Sequence, residues 1–295
     1  MGRDLLDGSK AARAVFETAD RVLGYELSRI CFEGPEERLR ETEYAQPAIL
    51  TVSLAALAAT VENGTIIERP AFTAGHSLGE YTALIAAGAL SLEDGLRLIA
   101  ERARLMADAG RSNPGTLAAI IGLDEAIVTA ICFEADIDVC NLNLPSQTVV
   151  GGPRANVEAA LRLAKERGAQ KAMELNVSGA FHSRLMTPAL AGLAEAIAAA
   201  RIEAPAVHVV ANSSARPLTD AGAVATELRE QIAKPVFWHQ SVTLMAEAGV
   251  SRFVEFGPGR VLTGMVKRLV PGAGLRNIGT LTDAESVPGG VTATA

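Results

Sequence analysis

Hydrophobic residues in the first third of the chain recur with the spacing of an amphipathic helix. In the segment SKAARAVFETADRVLGYEL, residues 9–27, one helical face carries Ala12, Val15, Phe16, Ala19, Val22 and Leu23. A second helix is predicted to open at Pro47, within a charge-free stretch over residues 45–61. Its length would let this stretch cross a bilayer, but its polar residues make it a poor span, and we expect a buried core helix.

The pattern then changes to a strand, a glycine turn and a helix. RPAFTAGHS, residues 69–77, is a short strand-like run, and LGEYTALIAAGAL, residues 78–90, is typical of a helix. The turn between them carries the pattern G-x-S-x-G, in which Ser77 lies between Gly75 and Gly79. A strand, a tight turn and a helix form the context in which this motif indicates a nucleophile elbow.

Residues 116–177 follow another order of elements. They comprise the strand TLAAIIGL, the helix DEAIVTAICFEA, the strands IDVCNLNL and QTVVGGP, the helix ANVEAALRLAKERG and the strand AQKAMELNV. This β-α-β-β-α-β order is that of a ferredoxin-like unit. Turn sequences, SNPG and VSGAF, bound it on both sides. We therefore expect a ferredoxin-like subdomain over residues 116–177, inserted into an α/β core formed by residues 1–115 and 178–295.

The remainder of the core is predicted to continue the α/β pattern. An alanine-rich helix over residues 186–200 precedes the strand AVHVVAN, and SRFVEFGPGRVLTGMVKRLV is a second strand, glycine turn and helix. The last ten residues, SVPGGVTATA, are small and rich in glycine and threonine, and we expect them to pack against nothing.

Composition limits the classes of function. The 295 residues, 49% hydrophobic and 21% charged, can bury a sizeable globular core. A net charge of -7 and a pI of about 5.3 argue against nucleic acid or an anionic membrane as the main partner. The three cysteines form no C-x-x-C and no leader opens the chain, so we expect a reducing cytoplasm.

Ser77 is the candidate nucleophile. On an elbow its hydroxyl would stand at the N-terminus of the following helix, where the Leu78 N–H can bind a developing oxyanion. Glycines at positions 75 and 79 would let the neighbouring backbone approach closely. The alternative is an ordinary small residue in a glycine-rich bend.

A serine is a weak nucleophile at its free pKa and needs a base, so the histidines become candidates. His76 adjoins Ser77, and on a turn its side chain points away from the serine. His208 lies in a predicted strand and His239 in a predicted helix, positions typical of structural histidines. His182, in the glycine-containing loop VSGAFHSRLM, is the candidate base, with a capping or core role as the alternative.

Arg102 is the third candidate. In the helix EDGLRLIAERARLMADAGR, the charged residues on one helical face do not include Arg102. They are Arg97, Glu101, Arg104, Asp108 and Arg111. The neighbours of Arg102 at three and four residues are Leu98, Ile99, Leu105 and Met106, so its guanidinium follows an apolar face. A buried arginine needs an anionic partner, either a ligand's or a protein carboxylate in an internal salt bridge.

The motifs GHSLGEYTAL, ERARLM, VSGAFHSRLM and VEFGPGRVLTGMVKRL together resemble the malonyl-CoA:acyl carrier protein transacylases and, more broadly, polyketide synthase acyltransferase domains. The resemblance implies an α/β-hydrolase-like core with an inserted ferredoxin-like subdomain. It implies that Ser77 carries the malonyl ester, that His182 is the base and that Arg102 binds the malonyl carboxylate. It also implies that Phe181 limits room at the α-carbon, and that a backbone carbonyl in KPVFW, residues 234–238, near Phe237, orients the histidine.

The same resemblance implies the reaction partners. They are malonyl-CoA and a holo acyl carrier protein, with no cofactor, no metal, no nucleic acid and no membrane. Because carrier proteins are acidic and this chain is acidic too, we expect a local basic dock. The candidates are Arg260, Lys267 and Arg268, or Arg162, Lys165, Arg167 and Lys171 in the small domain.

Two departures from the family pattern leave alternatives open. Family members open with a strand and F-P-G-Q-G-S-Q, a segment that supplies a second oxyanion donor, whereas this sequence starts at MGRDLL. We expect a start codon assigned too late. The other readings are a trans-acting polyketide acyltransferase, a serine esterase or thioesterase, and an inactive carrier-binding paralogue. NLNLPSQTVV also departs from the usual N-S-P-G-Q, so Asn143 is given no role.

Overall fold

Residues 1–64 and 69–286 are described by the computed structural model. Its α-helices are α1 Arg3–Gly8, α2 Lys10–Leu23, α3 Leu27–Glu33, α4 Glu36–Arg40, α5 Thr42–Glu62, α6 Gly79–Ala86, α7 Leu92–Ser112, α8 Glu125–Ala135, α9 Arg154–Glu166, α10 Ala189–Ala199, α11 Ala221–Glu230, α12 Trp238–Glu247, α13 Val261–Leu269 and α14 Leu281–Glu285. The strands are β1 Phe72–Thr73, β2 Thr116–Ile121, β3 Asp138–Leu144, β4 Gln147–Gly152, β5 Lys171–Glu174, β6 His208–Val210, β7 Pro217–Leu218, β8 Arg252–Phe256 and β9 Gly274–Ile278. Short 3-10 turns span Arg184–Met186 and Gln231–Ala233. Most of the tail expected to be unpacked, residues 287–295, lies outside the described residues.

The helix predicted to start at Pro47 begins five residues earlier. α5 opens at Thr42, where the carbonyl of Glu41 accepts from the N–H of Ala45 and Glu43 lies in the acidic first turn. Pro47 is therefore inside the helix, where it removes one backbone hydrogen bond without ending the element.

By length and composition, α5 is the one helix in the described residues that could cross a membrane. Two thirds of its most apolar window, 67%, is buried inside the protein. It packs between α2 and α7. The prediction of a buried core helix is confirmed.

Helix α2 shows how local chemistry sets the ends of an element. The Ser9 hydroxyl accepts from the N–H of Ala12, which caps the helix start. At the other end Gly24 has a φ of 75°, a left-handed conformation that suits glycine. The predicted apolar face is buried at Ala12, Phe16 and Ala19.

The core strands form two separate small sheets in the described residues. β1 pairs in parallel with β6, and β7 adds antiparallel to β6. β8 and β9 form a parallel pair of their own. The sequence predicted strands at β1, β6 and β8, but neither β7 and β9 nor the division into two sheets.

The small domain has its own sheet and its own core. The order in the sheet is β3-β4-β2-β5, and every pairing is antiparallel. Helices α8 and α9 cover it, and the hydrophobic cluster around Ile120, Ile131 and Val157 contains only residues between 118 and 172. A separate, larger cluster joins the helices of the surrounding core to β6 and β7.

The turn after β1 is tight enough to require glycine at one of its two positions. A Cβ added to Gly75 would lie 2.0 Å from the carbonyl oxygen of Gly79 and 2.7 Å from the backbone nitrogen of Glu80. At Gly79 the added atom would meet nothing within 4 Å. The expectation that both glycines permit close backbone approach therefore holds for Gly75 and is wrong for Gly79.

We predict that Gly75→Ala destabilises the fold, whereas Gly79→Ala, the matched control, does not. The clash at position 75 is with backbone, and overpacking of this kind costs about 1–3 kcal/mol or more. Position 79 is the first residue of α6, where alanine is a better helix former than glycine. Thermal unfolding followed by circular dichroism measures both variants. Equal melting temperatures for the two variants would contradict the packing argument.

Candidate active site

Ser77 lies at the turn between β1 and α6. Its φ is 53°, in the left-handed region that non-glycine residues rarely adopt. The next turn is already helical, because the carbonyl of Ser77 accepts from the N–H of Glu80 at 3.2 Å. The sharp strand-to-helix turn that the G-x-S-x-G motif predicts is therefore present, with the serine at its apex.

His182 is brought to Ser77 from a loop 105 residues further along the chain. Its Nε2 lies 2.6 Å from the Oγ of Ser77. The side chain is buried, with 4% of its surface exposed. Its φ of 62° is also left-handed, so both members of this pair sit on unusual backbone.

The surroundings of the other ring nitrogen determine the tautomer of His182. Nδ1 faces the carbonyl oxygens of Gln231 at 3.0 Å and Lys234 at 3.2 Å. A carbonyl oxygen only accepts, so Nδ1 carries the proton and donates it. Nε2 is then free to accept the hydroxyl proton of Ser77, as a general base must.

The predicted carbonyl of Phe237 does not perform this orientation. It accepts instead from the N–H of Ser241 at 3.0 Å and from its hydroxyl at 2.8 Å, because Phe237 caps the start of α12. Gln231 and Lys234 bracket the 3-10 turn that precedes it, and this turn directs their carbonyls at His182. The predicted region KPVFW therefore supplies one of the two carbonyls, that of Lys234, whereas the assignment to residue 237 is wrong and Gln231 lies outside the region.

Burial controls the protonation of His182. Removal from water, followed by the positive charge of Arg102, lowers the pKa of the imidazole to about 3. The ring is therefore neutral at any pH near 7. A neutral imidazole beside a serine hydroxyl can take up its proton.

Arg102 is the largest fully buried side chain, with 1% of its surface exposed. Nη2 donates to the Oγ of Ser77 at 3.0 Å and to the Oε1 of Gln231 at 2.9 Å, and Nη1 donates to the Oε1 of Gln46 at 2.5 Å. Within residues 1–64 and 69–286 it forms no ion pair, and its Nε has no hydrogen-bond acceptor. The internal salt bridge that the sequence left open is absent from this part of the chain, and the guanidinium is held by neutral oxygens.

The nearest buried acid is directed elsewhere. Glu80 is fully buried, and its carboxyl accepts from the N–H of Asn212 at 2.9 Å and from the Nε2 of Gln231 at 2.5 Å. Burial, followed by the charge of Glu227, raises the pKa of Glu80 well above its ordinary value. The hydrogen bonds of Glu80 go to Asn212 and Gln231, and it forms no ion pair with Arg102 within the described residues, which leaves the positive charge of Arg102 available to an incoming anion.

The backbone N–H of Leu78 directly follows Ser77 at the start of α6. Leu78 starts the first turn of α6, and its N–H has no acceptor among the hydrogen bonds of the described residues. The positive end of a helix favours negative charge at this position. Leu78 can therefore supply one oxyanion donor, as predicted from the motif.

The other histidines do not reach Ser77. The Nε2 of His76 lies 2.8 Å from the Oδ1 of Asn143, and its ring packs against Trp238. His208 lies in β6 and His239 in α12, as predicted. Asn143, to which the sequence assigned no role, thus joins the small domain to the residue beside the nucleophile.

Phe181 precedes His182 and packs, half-buried, between the core and the small domain. Its predicted influence on the substrate α-carbon stays a prediction.

Within the two described ranges, no group of three histidine, cysteine, aspartate or glutamate side chains could hold a metal ion.

Sequence reasoning missed the amides that surround Arg102. Gln46 lies on α5 and Gln231 opens the turn that orients His182. Gln46 did carry a signal, since it is a polar residue near the start of the charge-free stretch over residues 45–61. Gln231 carried none, because it lies in a polar segment and its partners are far away in sequence.

Comparisons with known proteins show the family of this chain. Residues 1–285 match the family model described as an acyl transferase domain. A malonyl CoA-acyl carrier protein transacylase of Bacillus subtilis is 42% identical over 274 residues, which cover 91% of this chain and 86% of the relative.

Two solved structures have the same fold. An acyl-carrier-protein S-malonyltransferase from Bartonella henselae superposes with a TM-score of 0.92 at 38% identity, over 97% of this chain and 92% of that one. A malonyl transacylase in complex with its holo type II polyketide synthase carrier protein superposes with a TM-score of 0.91 at 35% identity, over 97% and 94%. The mixed α/β fold is therefore that of the acyltransferases. The family match and these relatives show that this chain belongs to the acyl transferase domain family, among the malonyl-CoA:acyl carrier protein transacylases.

Proposed function

We propose that this chain transfers a malonyl group from malonyl-CoA to the phosphopantetheine thiol of an acyl carrier protein, through a malonyl ester on Ser77. The observation that carries the proposal is the buried Arg102, whose Nη2 lies 3.0 Å from the Oγ of Ser77 and whose hydrogen-bond acceptors are neutral. A cation in this position suits an acyl group that ends in a carboxylate.

In the first half-reaction, the Oγ of Ser77 attacks the thioester carbonyl carbon while Nε2 of His182 takes the hydroxyl proton. The carbonyl oxygen becomes an oxyanion and accepts from the N–H of Leu78. The carbon–sulfur bond then breaks, and the sulfur of coenzyme A leaves with the proton from His182. The product is a malonyl ester on Ser77.

In the second half-reaction the carrier thiol replaces coenzyme A. Its sulfur attacks the ester carbonyl, His182 takes the thiol proton, and the proton returns to Ser77 as the carbon–oxygen bond breaks. The two acceptors share one site, so the kinetics are ping-pong. The same two carbonyls, of Gln231 and Lys234, hold the ring in one tautomer throughout.

Substrate binding also adjusts the base. Burial is the main cause of the low pKa of His182, and the charge of Arg102 is the second. A malonyl carboxylate on Arg102 cancels that charge, which raises the pKa of the imidazole toward the range useful for proton transfer. An acyl group without the carboxylate lacks this effect.

The finer fold assignment belongs to the same proposal. A ferredoxin-like subdomain over residues 116–177 is supported by the sheet order β3-β4-β2-β5 and by a hydrophobic cluster of its own. An α/β-hydrolase-like core formed by residues 1–115 and 178–295 is supported by the parallel pairing of β1 with β6 and by the elbow at Ser77. Phe181 is proposed to limit room at the α-carbon of the malonyl group.

We place the activity in fatty acid biosynthesis in the cytoplasm. A trans-acting role in polyketide synthesis is the second candidate, favoured by the likeness to a transacylase bound to a polyketide carrier protein. Purified carrier proteins of the two pathways, compared by kcat/KM, distinguish them.

We predict that Ser77→Ala abolishes labelling by radioactive malonyl-CoA while the protein stays folded. The hydroxyl 2.6 Å from the Nε2 of His182 belongs to Ser77, and the variant lacks it. His182→Ala should retain the nucleophile but slow labelling by about 10²- to 10⁴-fold, the usual value of a general base. Stable label on Ser77→Ala would assign the nucleophile elsewhere. Release of free malonate as fast as transfer to a carrier protein would make the enzyme a hydrolase.

We predict that Arg102→Ala lowers kcat/KM for malonyl-CoA by about 10²-fold or more and raises the relative activity toward acetyl-CoA. The malonyl carboxylate would be buried without its cation, whereas the acetyl group loses no partner. Arg104→Ala is the matched control, since Arg104 lies on the same helix in exposed ion pairs with Glu101 and Asp108. Equal losses for both substrates would indicate a purely structural arginine.

The carrier dock gives a further prediction. Lys267 and Arg268 are exposed at the end of α13, and neither forms an ion pair within the described residues. Reversing both charges should raise the KM for the carrier and weaken its salt dependence, with little change in the KM for malonyl-CoA. Lys165→Glu with Lys171→Glu tests the small domain in the same assay. If only the second pair raises the KM, the dock lies there instead.

A further inference from the structure

Asn212 joins the two sides of the turn that carries Ser77. It follows β6, the parallel neighbour of β1, so the ends of the two strands lie side by side. Its Oδ1 accepts from the backbone N–H of Ser77 at 2.6 Å, and its Nδ2 donates to the carbonyl of Gly75 at 2.7 Å. Only 1% of its surface is exposed.

The turn needs both of these hydrogen bonds. Ser77 has left-handed backbone that a non-glycine residue adopts only at a cost in free energy, so the surrounding structure must stabilise it. The turn also takes the N–H of Ser77 and the carbonyl of Gly75 out of the pairing of β1 with β6, which covers Phe72 and Thr73. Buried backbone groups left without partners are costly, and the single amide of Asn212 pairs both.

Asn212 is itself held from two directions. Its backbone N–H donates to the Oε1 of Glu80 at 2.9 Å, and its carbonyl accepts from the N–H of Phe237 at 2.8 Å. Glu80 lies on α6, the helix that leaves the turn, so the hydrogen bonds run from the turn through Asn212 and back to that helix. The backbone N–H and carbonyl and both side-chain polar atoms of Asn212 are therefore engaged, which leaves the amide one orientation.

We propose that Asn212 is a positioning residue for the nucleophile, which acts through the backbone of Ser77 and touches no substrate. By holding the turn from both sides, it keeps the Oγ of Ser77 at 2.6 Å from the Nε2 of His182 and leaves the N–H of Leu78 free for the oxyanion. The inference rests on the proposed role of Ser77. It requires one donor and one acceptor at this position, which asparagine supplies and an ionised aspartate does not.

Asn212→Ala and Asn212→Asp test this role by the rate of malonyl-serine formation in a single turnover at saturating malonyl-CoA. Both should slow acylation by about 10- to 100-fold, since a small displacement of a reacting atom has effects of that size. The KM for malonyl-CoA should stay within about twofold, because no substrate contact is removed. Asn212→Asp keeps the shape but sets a carboxylate oxygen against the carbonyl of Gly75. If Asn212→Ala does not fold, the acylation rate of Asn212→Asp alone tests the positioning role.

Leu218→Ala is the control for loss of stability. Leu218 is buried in β7 and pairs with Val209 of β6, so its truncation loosens the same sheet without touching the turn. This variant should melt earlier and acylate at the wild-type rate. Wild-type rates in Asn212→Asp would refute the positioning role, since shape alone would then suffice. Equal slowing in Leu218→Ala would also refute it.

A second assay separates this inference from the proposed function. Phenylmethanesulfonyl fluoride reacts with an activated serine: the Oγ bonds to sulfur, fluoride leaves and the proton passes to the base. Sulfonylation of Ser77, followed by mass spectrometry, requires no malonyl-CoA. Slower sulfonylation in both Asn212 variants supports the positioning role, and unchanged rates overturn it. Failure of the wild-type protein to form malonyl-serine would instead refute the proposed function.

Discussion

The backbone turn at Ser77 is the constraint on which the rest of the site depends. Its left-handed conformation sets Ser77 between the end of β1 and the start of α6. The turn is possible because Gly75 admits the backbone of Gly79 at contact distance. A side chain at Gly75 would occupy the space of that backbone. The backbone geometry of Ser77 therefore depends on glycine at position 75.

The charges around the turn follow from burial. Arg102 and His182 are both removed from water, which keeps the imidazole neutral and leaves the guanidinium as the cation nearest to Ser77. Neutral amide oxygens hold that cation where a carboxylate would neutralise it. A site of this kind is incomplete without an anion, which gives a physical reason for the preference of this family for a dicarboxylic acyl group.

The small domain contributes to the site through the sheet it packs on the core. Asn143, on β3, reaches His76 beside the nucleophile, and the N–H of Leu142 donates to the carbonyl of Val236. Val236 follows the turn that presents its carbonyls to His182. Residues 138–144 therefore contact both the residue beside Ser77 and the segment that follows the turn facing His182.

The sequence by itself determined the elements and the principal chemistry. Periodicity indicated the helices and the β-α-β-β-α-β insertion, the elbow motif indicated Ser77, and an arginine on an apolar face indicated Arg102. These features are local, because a strand, a tight turn and a helical face are each encoded within about ten to twenty residues. Elimination among the histidines indicated His182, since His76 adjoins Ser77 on its turn and the other two were predicted in a strand and a helix. Even the error at Pro47 concerned a helix boundary and not the helix.

Only the tertiary structure decided which neutral groups complete the site. Nδ1 of His182 faces the carbonyls of Gln231 and Lys234 and not that of Phe237. The first turn of α12 already uses the carbonyl of residue 237. The amides of Gln46 and Asn212 come from distant segments and have no spacing relative to Ser77 or Arg102 that a pattern could show. Hydrogen bonds between side chains far apart in the chain arise when helices and strands pack, and that packing exists only in the folded protein.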